Sequence, residues 1–335
     1  MSLSILDVTA RDGSHTVRHS FTPSQVEVIV TRLGEAGVKI AEIGHGEGLG
    51  ASSITYGISA TREEDLIAAG VEAGRPFGVR IAVVVLPGIG TGKDLARAVD
   101  AGASVARVST LCTEADVGVQ HIEQARELGC LTVGFLMMAH LAPPEKLAEQ
   151  ALVQAAAGAE IVYCTDSAGA LTMEDVAARI ARMREVLPAD VQVGFHGHNN
   201  LGLAVANSIT AVRGGATFID TALSGIGAGS GNTATEVFAA VCDRMEIPTG
   251  VDVTSVAAAA EEVAEIVDRR PTIDRASLML GWAGVPSTFL LHSQRAAERY
   301  EVEQDQLLLE LGRRKIVAGQ EDMIIDVAID LAARR

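Results

Sequence analysis

The sequence predicts an α/β protein: a (β/α)8 barrel followed by a small C-terminal helical domain. Three observations lead there. Strand-like apolar runs alternate with helix-like runs eight times, the pattern of a parallel sheet covered by helices. The residues with chemistry to offer fall just after strands, where such barrels place their sites. The alternation then stops near Asp274. A barrel of this type needs about 250 residues, so a chain of 335 residues has room for one barrel and an appendage. An open, doubly wound sheet is the second-best architecture for the same pattern.

The elements follow in order. A short strand over 4–8 precedes a helix that Thr22-Pro23 opens and Gly37 closes, an N-cap with proline in the first turn. A strand over 39–43 leads into the glycine-rich loop 44–50. Thr61 is expected to cap a helix reaching Gly74. Strand 80–86 is followed by helix 93–102, strand 104–109 by helix 113–129, and strand 131–137 by a helix from Pro143-Pro144 to Gly158. Strand 160–164 precedes helix 172–187, opened by Thr-x-x-Asp. Strand 191–195 precedes helix 201–214, and strand 217–221 precedes the loop 225–232 and a helix from Thr233. Several helices close on a glycine. These divisions give a catalytic domain over 1–273 and a helical domain over 274–335. The latter is expected to have a turn-rich joint at 281–286 and helices over 303–311, stopped by Gly312, and 321–333. The run Leu307-Leu308-Leu309 is more apolar than a solvated helix needs, fitting either a helical cap or a partner surface.

Composition narrows the function. A net charge of −16 argues against nucleic-acid phosphates or an anionic membrane as partner. Cys112, Cys130, Cys164 and Cys242 have neither CxxC nor framework spacing and read as reduced, buried thiols of a cytoplasmic protein. Met1 to Ser4 lead straight into a strand without a signal-peptide pattern. The most apolar short run, 81–86, is ended by Pro87-Gly88 at strand length, too short to span a bilayer.

Chemistry concentrates in two stretches. Arg11-Asp12-Gly13-Ser14-His15 follows the first strand, and His196-Gly197-His198 follows the seventh. Alternate side chains of an extended chain share a face, so His196 and His198 can point at one target. With Asp12 they form a carboxylate–imidazole set suited to Mn²⁺, Mg²⁺, Zn²⁺, Fe²⁺ or Co²⁺ with open positions. The plain alternative is a hydrogen-bonded histidine pair and a loop-capping aspartate. Arg11 can hold a developing enolate or alkoxide oxygen. Its alternative is an ion pair with Asp12, although neighbouring side chains at a strand end are expected to diverge. His15 can move a proton near neutrality or be an exposed loop histidine. The stretch 87–94 resembles a phosphate loop, but it is one residue short and Asp94 replaces the hydroxyl, which rejects that reading. Loop 225–231 can bring backbone amides to an anion or be a tight turn. His45 and Glu47 either support the site from loop 44–50 or simply belong to the loop. Asp166-Ser167 offers a hydroxyl for a substrate carboxylate, or a turn.

Arg11-Asp12-Gly13 together with His196-Gly197-His198-Asn199 and 227–232 resembles the DRE-TIM metallolyase superfamily. Isopropylmalate and homocitrate synthases have Glu-Gln after Arg-Asp-Gly, whereas this chain has Ser14-His15. That variant, with loop 44–50, Leu86-Pro87-Gly88-Ile89-Gly90-Thr91 and the C-terminal extension, resembles the 4-hydroxy-2-oxovalerate aldolases. The resemblance implies a TIM barrel and a Mn²⁺-dependent class II pyruvate aldolase, with Mg²⁺, Co²⁺ or Zn²⁺ as other metals. It implies Asp12, His196 and His198 as metal ligands and Arg11 and His15 as catalytic residues. Arg11, Ser167, Val84, Leu86 and His196 would contact substrate. A base near His15 would take the 4-hydroxyl proton, and the pyruvate enolate would be stabilised by metal and Arg11. An acylating aldehyde dehydrogenase is the implied partner, met through the C-terminal helices, with self-association of the aldolase. One departure concerns the joint: Pro286 stands where the family has a tyrosine that approaches substrate, and Val84 is smaller than the usual leucine, which suggests a roomier aldehyde site. The alternatives are a Claisen-type acyl-CoA condensing enzyme on the same barrel, a 2-His-1-carboxylate oxygenase, and a non-catalytic partner subunit.

Overall fold

In the computed structural model, residues 3–268 and 271–334 are described. Met1 and Ser2, expected to lead into the first strand, and the last predicted domain residue, Arg335, lie outside these. Eight parallel strands close in sequence order into a barrel. They are β1 (Ser4–Asp7), β2 (Ile40–Glu42), β3 (Arg80–Val85), β4 (Val105–Leu111), β5 (Leu131–Met137), β6 (Ile161–Asp166), β7 (Gln192–Gly197) and β8 (Phe218–Thr221). Closure is made where β1 pairs with β8, Ser4 opposite Phe218 and Asp7 opposite Thr221. The intervening helices are α1 (Pro23–Glu35), α2 (Glu63–Gly74), α3 (Gly92–Asp100), α4 (Val119–Glu127), α5 (Pro144–Ala157), α6 (Met173–Val186), α7 (Ala204–Arg213) and α8 (Thr235–Arg244).

Local chemistry explains the well-placed starts. Thr22, Thr91 and Thr172 each make a reciprocal capping box, with Gln25, Asp94 and Asp175 respectively. Asp94, which stands where a phosphate loop has its hydroxyl residue, thus has a helix-capping role. Thr61 does not cap α2. Arg62 holds the N-cap position without a side-chain bond, and the Thr61 hydroxyl donates to Phe21 O instead. The single helix expected over 113–129 is a 3₁₀ turn, Ala115–Gly118, followed by α4.

The βα rhythm ends with α8, earlier than expected, because a further helix, α9 (Val253–Val267), was not anticipated. Asp252 caps it. Val256, Ala259, Ala260 and Val263 pack into the same buried cluster as the barrel. Beyond it lie α10 (Arg275–Ala283), α11 (Phe289–Tyr300), α12 (Gln304–Arg313) and α13 (Asp322–Ala332). These have their own core, including Leu280, Phe289, Leu307, Leu308, Leu311 and Val327.

The last third corrects two expectations. Gly281 and Trp282 belong to α10, and only Gly284 turns left-handed to end it. Gly312 lies inside α12 and does not stop it. A Cβ there would collide with the Ala283 carbonyl, so glycine lets α12 approach α10 closely. Leu307 and Leu308 are fully buried and Leu309 is partly exposed, so most of that apolar run is core. No described helix is long and apolar enough to cross a membrane, and all four cysteines are free and buried.

Thr172→Ala removes one cap bond from α6 and is expected to lower unfolding stability by about 1 kcal/mol, read as a shift in urea midpoint with unchanged slope.

Candidate active site

The strand ends on one side of the barrel surround a cavity lined among others by Arg11, Asp12, Glu47, Ser167, His196 and His198. Asp12 enters from a 3₁₀ turn, Asp12–His15, that follows β1. His196 is still within β7 and His198 comes just after it, so the strand runs farther than the sequence suggested and its alternation aims both rings at the same place.

There the Nε2 atoms of His196 and His198 stand 3.3 Å apart, and His198 Nε2 is 4.0 Å from Asp12 Oδ2. Ligand atoms of all three side chains lie within 4.8 Å of one another, and all three are buried. Two nitrogens about 2.1 Å from one ion sit roughly 3 Å apart, so the spacing fits a shared cation. The donor set is also in the right state. His196 Nδ1 donates to Asp220 Oδ2 at 2.9 Å, which leaves the Nε2 lone pair facing inward. Burial pushes the His198 imidazole down to about 4, against the pull of Asp12, so its ring is neutral. Burial pushes Asp12 up, but Arg11 and the imidazoles outweigh it and hold the carboxyl below the usual range.

Asp12 is fixed from both sides. Its Oδ1 accepts from Ala228 N and Asn232 Nδ2, each at 3.1 Å. The anion met by loop 225–231 is therefore this carboxylate. A Cβ on Gly227 would lie 2.6 Å from Asp12 Oδ1, and only glycine leaves the space. On the other side Arg11 Nη1 donates to Asp12 Oδ2 at 2.8 Å. The expected divergence of Arg11 and Asp12 does not occur, because Arg11 is also pulled by Glu42 (Nε to Oε2, 2.6 Å) and donates to Gly46 O at 3.1 Å.

Three contributors were missed at the sequence level: Glu42, Arg107 and Asp220. Each is a charge within an apolar strand, the one signal that could have revealed them. Arg107, on β4 and fully buried, reaches Glu42 Oε1 at 3.1 Å and also pairs with Asp220. Its guanidinium lies over the rings of Phe135 and Tyr163, at 4.5 and 4.7 Å. A continuous chain of charges, Asp12–Arg11–Glu42–Arg107–Asp220–His196, thus joins the two halves of the ligand set.

The other expected residues divide. Val84, Leu86, Ser167 and Pro286 line the cavity. Ser167 Oγ accepts from Met138 N at 3.0 Å, while Asp166 is turned away to cap Ala170 and Leu171. His15 lines the adjoining cavity, which shares Glu47 and Thr288 with the first. It is not an exposed loop histidine: burial lowers its pKa, and its edge rests on His19, whose ring stacks on His45 at 3.7 Å.

A closed parallel barrel with a carboxylate, two imidazoles and a buried guanidinium around one cavity is the arrangement of a barrel enzyme with a candidate cation site. A family model described as HMGL-like matches residues 2–263, and one described as a DmpG-like communication domain matches 271–333. The chain is 52% identical to the 4-hydroxy-2-oxovalerate aldolase of Chloroflexus aggregans, over 99% of this chain and 96% of that protein. It is 51% identical to 4-hydroxy-2-oxovalerate aldolase 1 of Rhodococcus erythropolis, over 98% and 94%. Among solved structures, the HMG-CoA lyase of Brucella melitensis superposes with a TM-score of 0.68 at 19% identity, covering 80% of this chain and 99% of that one. The carboxyl transferase domain of Rhizobium etli pyruvate carboxylase gives 0.81 at 15%, covering 98% and 61%. These two show the fold. The chain belongs to the 4-hydroxy-2-oxovalerate aldolase family, whose members are lyases.

Asp220→Asn takes from Arg107 one of its two carboxylate partners and leaves it Glu42. Losing that charge-assisted bond is expected to cost about 1.5–3 kcal/mol, measured by denaturant unfolding of the metal-free protein.

Proposed function

We propose that this protein cleaves a 4-hydroxy-2-oxoacid of the 4-hydroxyoxovalerate type to pyruvate and an aldehyde, with Mn²⁺ as the metal. The observation that supports this most directly is the convergence of Asp12, His196 and His198 on one point of the cavity lined by Arg11. A divalent ion held there supplies Lewis acidity toward the 2-keto acid oxygens. The chain's own residues do the rest. Arg11, held charged by Asp12 and Glu42, meets the oxygen on which charge grows as the C3–C4 bond breaks. His15, neutral because it is buried, takes the 4-hydroxyl proton. His196 stands beside the bound keto acid, and Ser167 offers its hydroxyl to the substrate carboxylate. Val84, Leu86 and Pro286 border the space for the departing aldehyde with apolar surface. The condensing-enzyme alternative has less support, since the relatives at about 50% identity are aldolases by name.

We further propose that residues 1–273 act as the catalytic domain and 274–335 as a partner-binding domain. Two separate buried cores and the communication-domain match support that division. The partner would be an acylating aldehyde dehydrogenase. The exposed side chains of Leu278, Trp282, Ile325 and Ile329 give the helical domain apolar contact surface. Self-association of the aldolase and a cytoplasmic location complete this reading.

Chelation should abolish pyruvate release from 4-hydroxy-2-oxovalerate, and Mn²⁺ should restore it. Arg11→Lys should lower kcat of the Mn²⁺-saturated enzyme by about 10²- to 10³-fold. An untreated enzyme that releases no pyruvate, or one indifferent to chelation, would refute the assignment. Because Pro286 and Val84 leave room beside the site, cleavage measured across a series of 4-hydroxy-2-oxoacids should tolerate longer chains. Strict preference for the substrate that yields acetaldehyde would defeat that expectation.

A further inference from the structure

Retro-aldol cleavage involves two proton events: one proton leaves the 4-hydroxyl and one arrives at C3 of the product. His15 accounts for the first. Among the cavity-lining residues, the two carboxyls are Asp12 and Glu47. Asp12 is committed to Arg11, Ala228 and Asn232. The Glu47 carboxyl makes no hydrogen bond among the described residues, and its Oε1 faces His15 Nε2 at 3.9 Å. That nitrogen is itself buried without a hydrogen-bond partner. Glu47 also lines both the metal-side cavity and the one that His15 lines, so it stands at their junction.

Resting on the aldolase reading above, we infer that Glu47 is the acid that protonates C3, working as a pair with His15. The imidazole takes the 4-hydroxyl proton, the C3–C4 bonding electrons pass into the enolate, and the aldehyde forms. The Glu47 carboxylic acid then gives its proton to C3, making the methyl group of pyruvate. The imidazolium finally returns its proton to the carboxylate across the 3.9 Å gap, directly or through one water. The net result is one proton moved from O4 to C3, with both residues restored.

The surroundings suit an acid that is protonated at rest. Burial pushes the Glu47 carboxyl up to about 8, Glu321 and Asp12 add to the rise, and Arg11 opposes it. Tyr56, His45 and His292 are further titratable groups around the pair. His15 answers to burial, to Asp12 and Arg11, and to His292 on α11. Burial favours the neutral form of each, the carboxylic acid of Glu47 and the imidazole base of His15.

Glu47→Gln keeps shape and polarity and removes only the proton. In the Mn²⁺-loaded protein we expect KM and Mn²⁺ affinity within about twofold of wild type. Both kcat for cleavage and the exchange of pyruvate methyl protons with D₂O, followed by NMR, should fall about 10²- to 10⁴-fold. Glu47→Asp, which keeps an acid, should recover part of both. A Glu47→Gln protein that exchanges methyl protons at the wild-type rate overturns the inference, and so does one whose Mn²⁺ affinity collapses together with its exchange. If the wild-type enzyme releases no pyruvate, the functional reading falls and takes this inference with it. An active wild type with an unimpaired Glu47→Gln removes this inference alone.

Discussion

A line of alternating charges through the barrel interior is the constraint on which the site depends. From Asp12 through Arg11, Glu42, Arg107 and Asp220 to His196, each group is buried and each is paired with the next. Barrels of this type usually fill that space with branched apolar side chains. Placing five charged groups and an imidazole there is costly unless each one has a partner. The gain is orientation: Asp12 can shift only if Arg11 shifts, and His196 can rotate only by leaving Asp220. The carboxylate from the beginning of the chain and the imidazole from its middle are therefore held in place before any ion arrives, the preorganisation that metal sites need.

The helical domain is joined to this arrangement by a few polar contacts around Ser287. Its backbone N–H donates to Ser167 O at 3.0 Å, its hydroxyl donates to the same carbonyl at 2.9 Å, and Asn200 Nδ2 donates to Ser287 Oγ at 2.8 Å. Asn200 Oδ1 accepts from both the N–H and the hydroxyl of Ser230. The neighbour of Ser287, Pro286, borders the substrate cavity. A disturbance of the helices from α10 onward would thus reach the cavity wall and the loop that holds Asp12.

Much of the fold was legible because its signals are local. The threonines read as helix openers at Thr22 and Thr172 do cap α1 and α6 through contacts with residues three positions on. Apolar runs of strand length, repeated eight times between such helices, leave few topologies open. Where local signals are weak the reading failed. Thr61 has the capping chemistry but bonds across to Phe21. Gly312 has the residue type of a stop but is needed for the close approach of α12 to Ala283. The helix α9 has an N-cap and an apolar face that the strand–helix count passed over.

By itself the sequence determined the barrel, the identity of Asp12, His196 and His198 as a possible ligand set, and Arg11 beside them. Alternation along a strand and placement after strands are properties of the chain that need no partner to be read. Only the tertiary structure decided that Arg11 turns toward Asp12, that loop 225–231 clasps that carboxylate, and that Glu42, Arg107 and Asp220 meet inside the barrel. It also placed His15 beside Glu47 and not on the ligand cavity itself. Those outcomes depend on residues separated by up to 220 positions, and closing the barrel brings them within hydrogen-bond reach of one another.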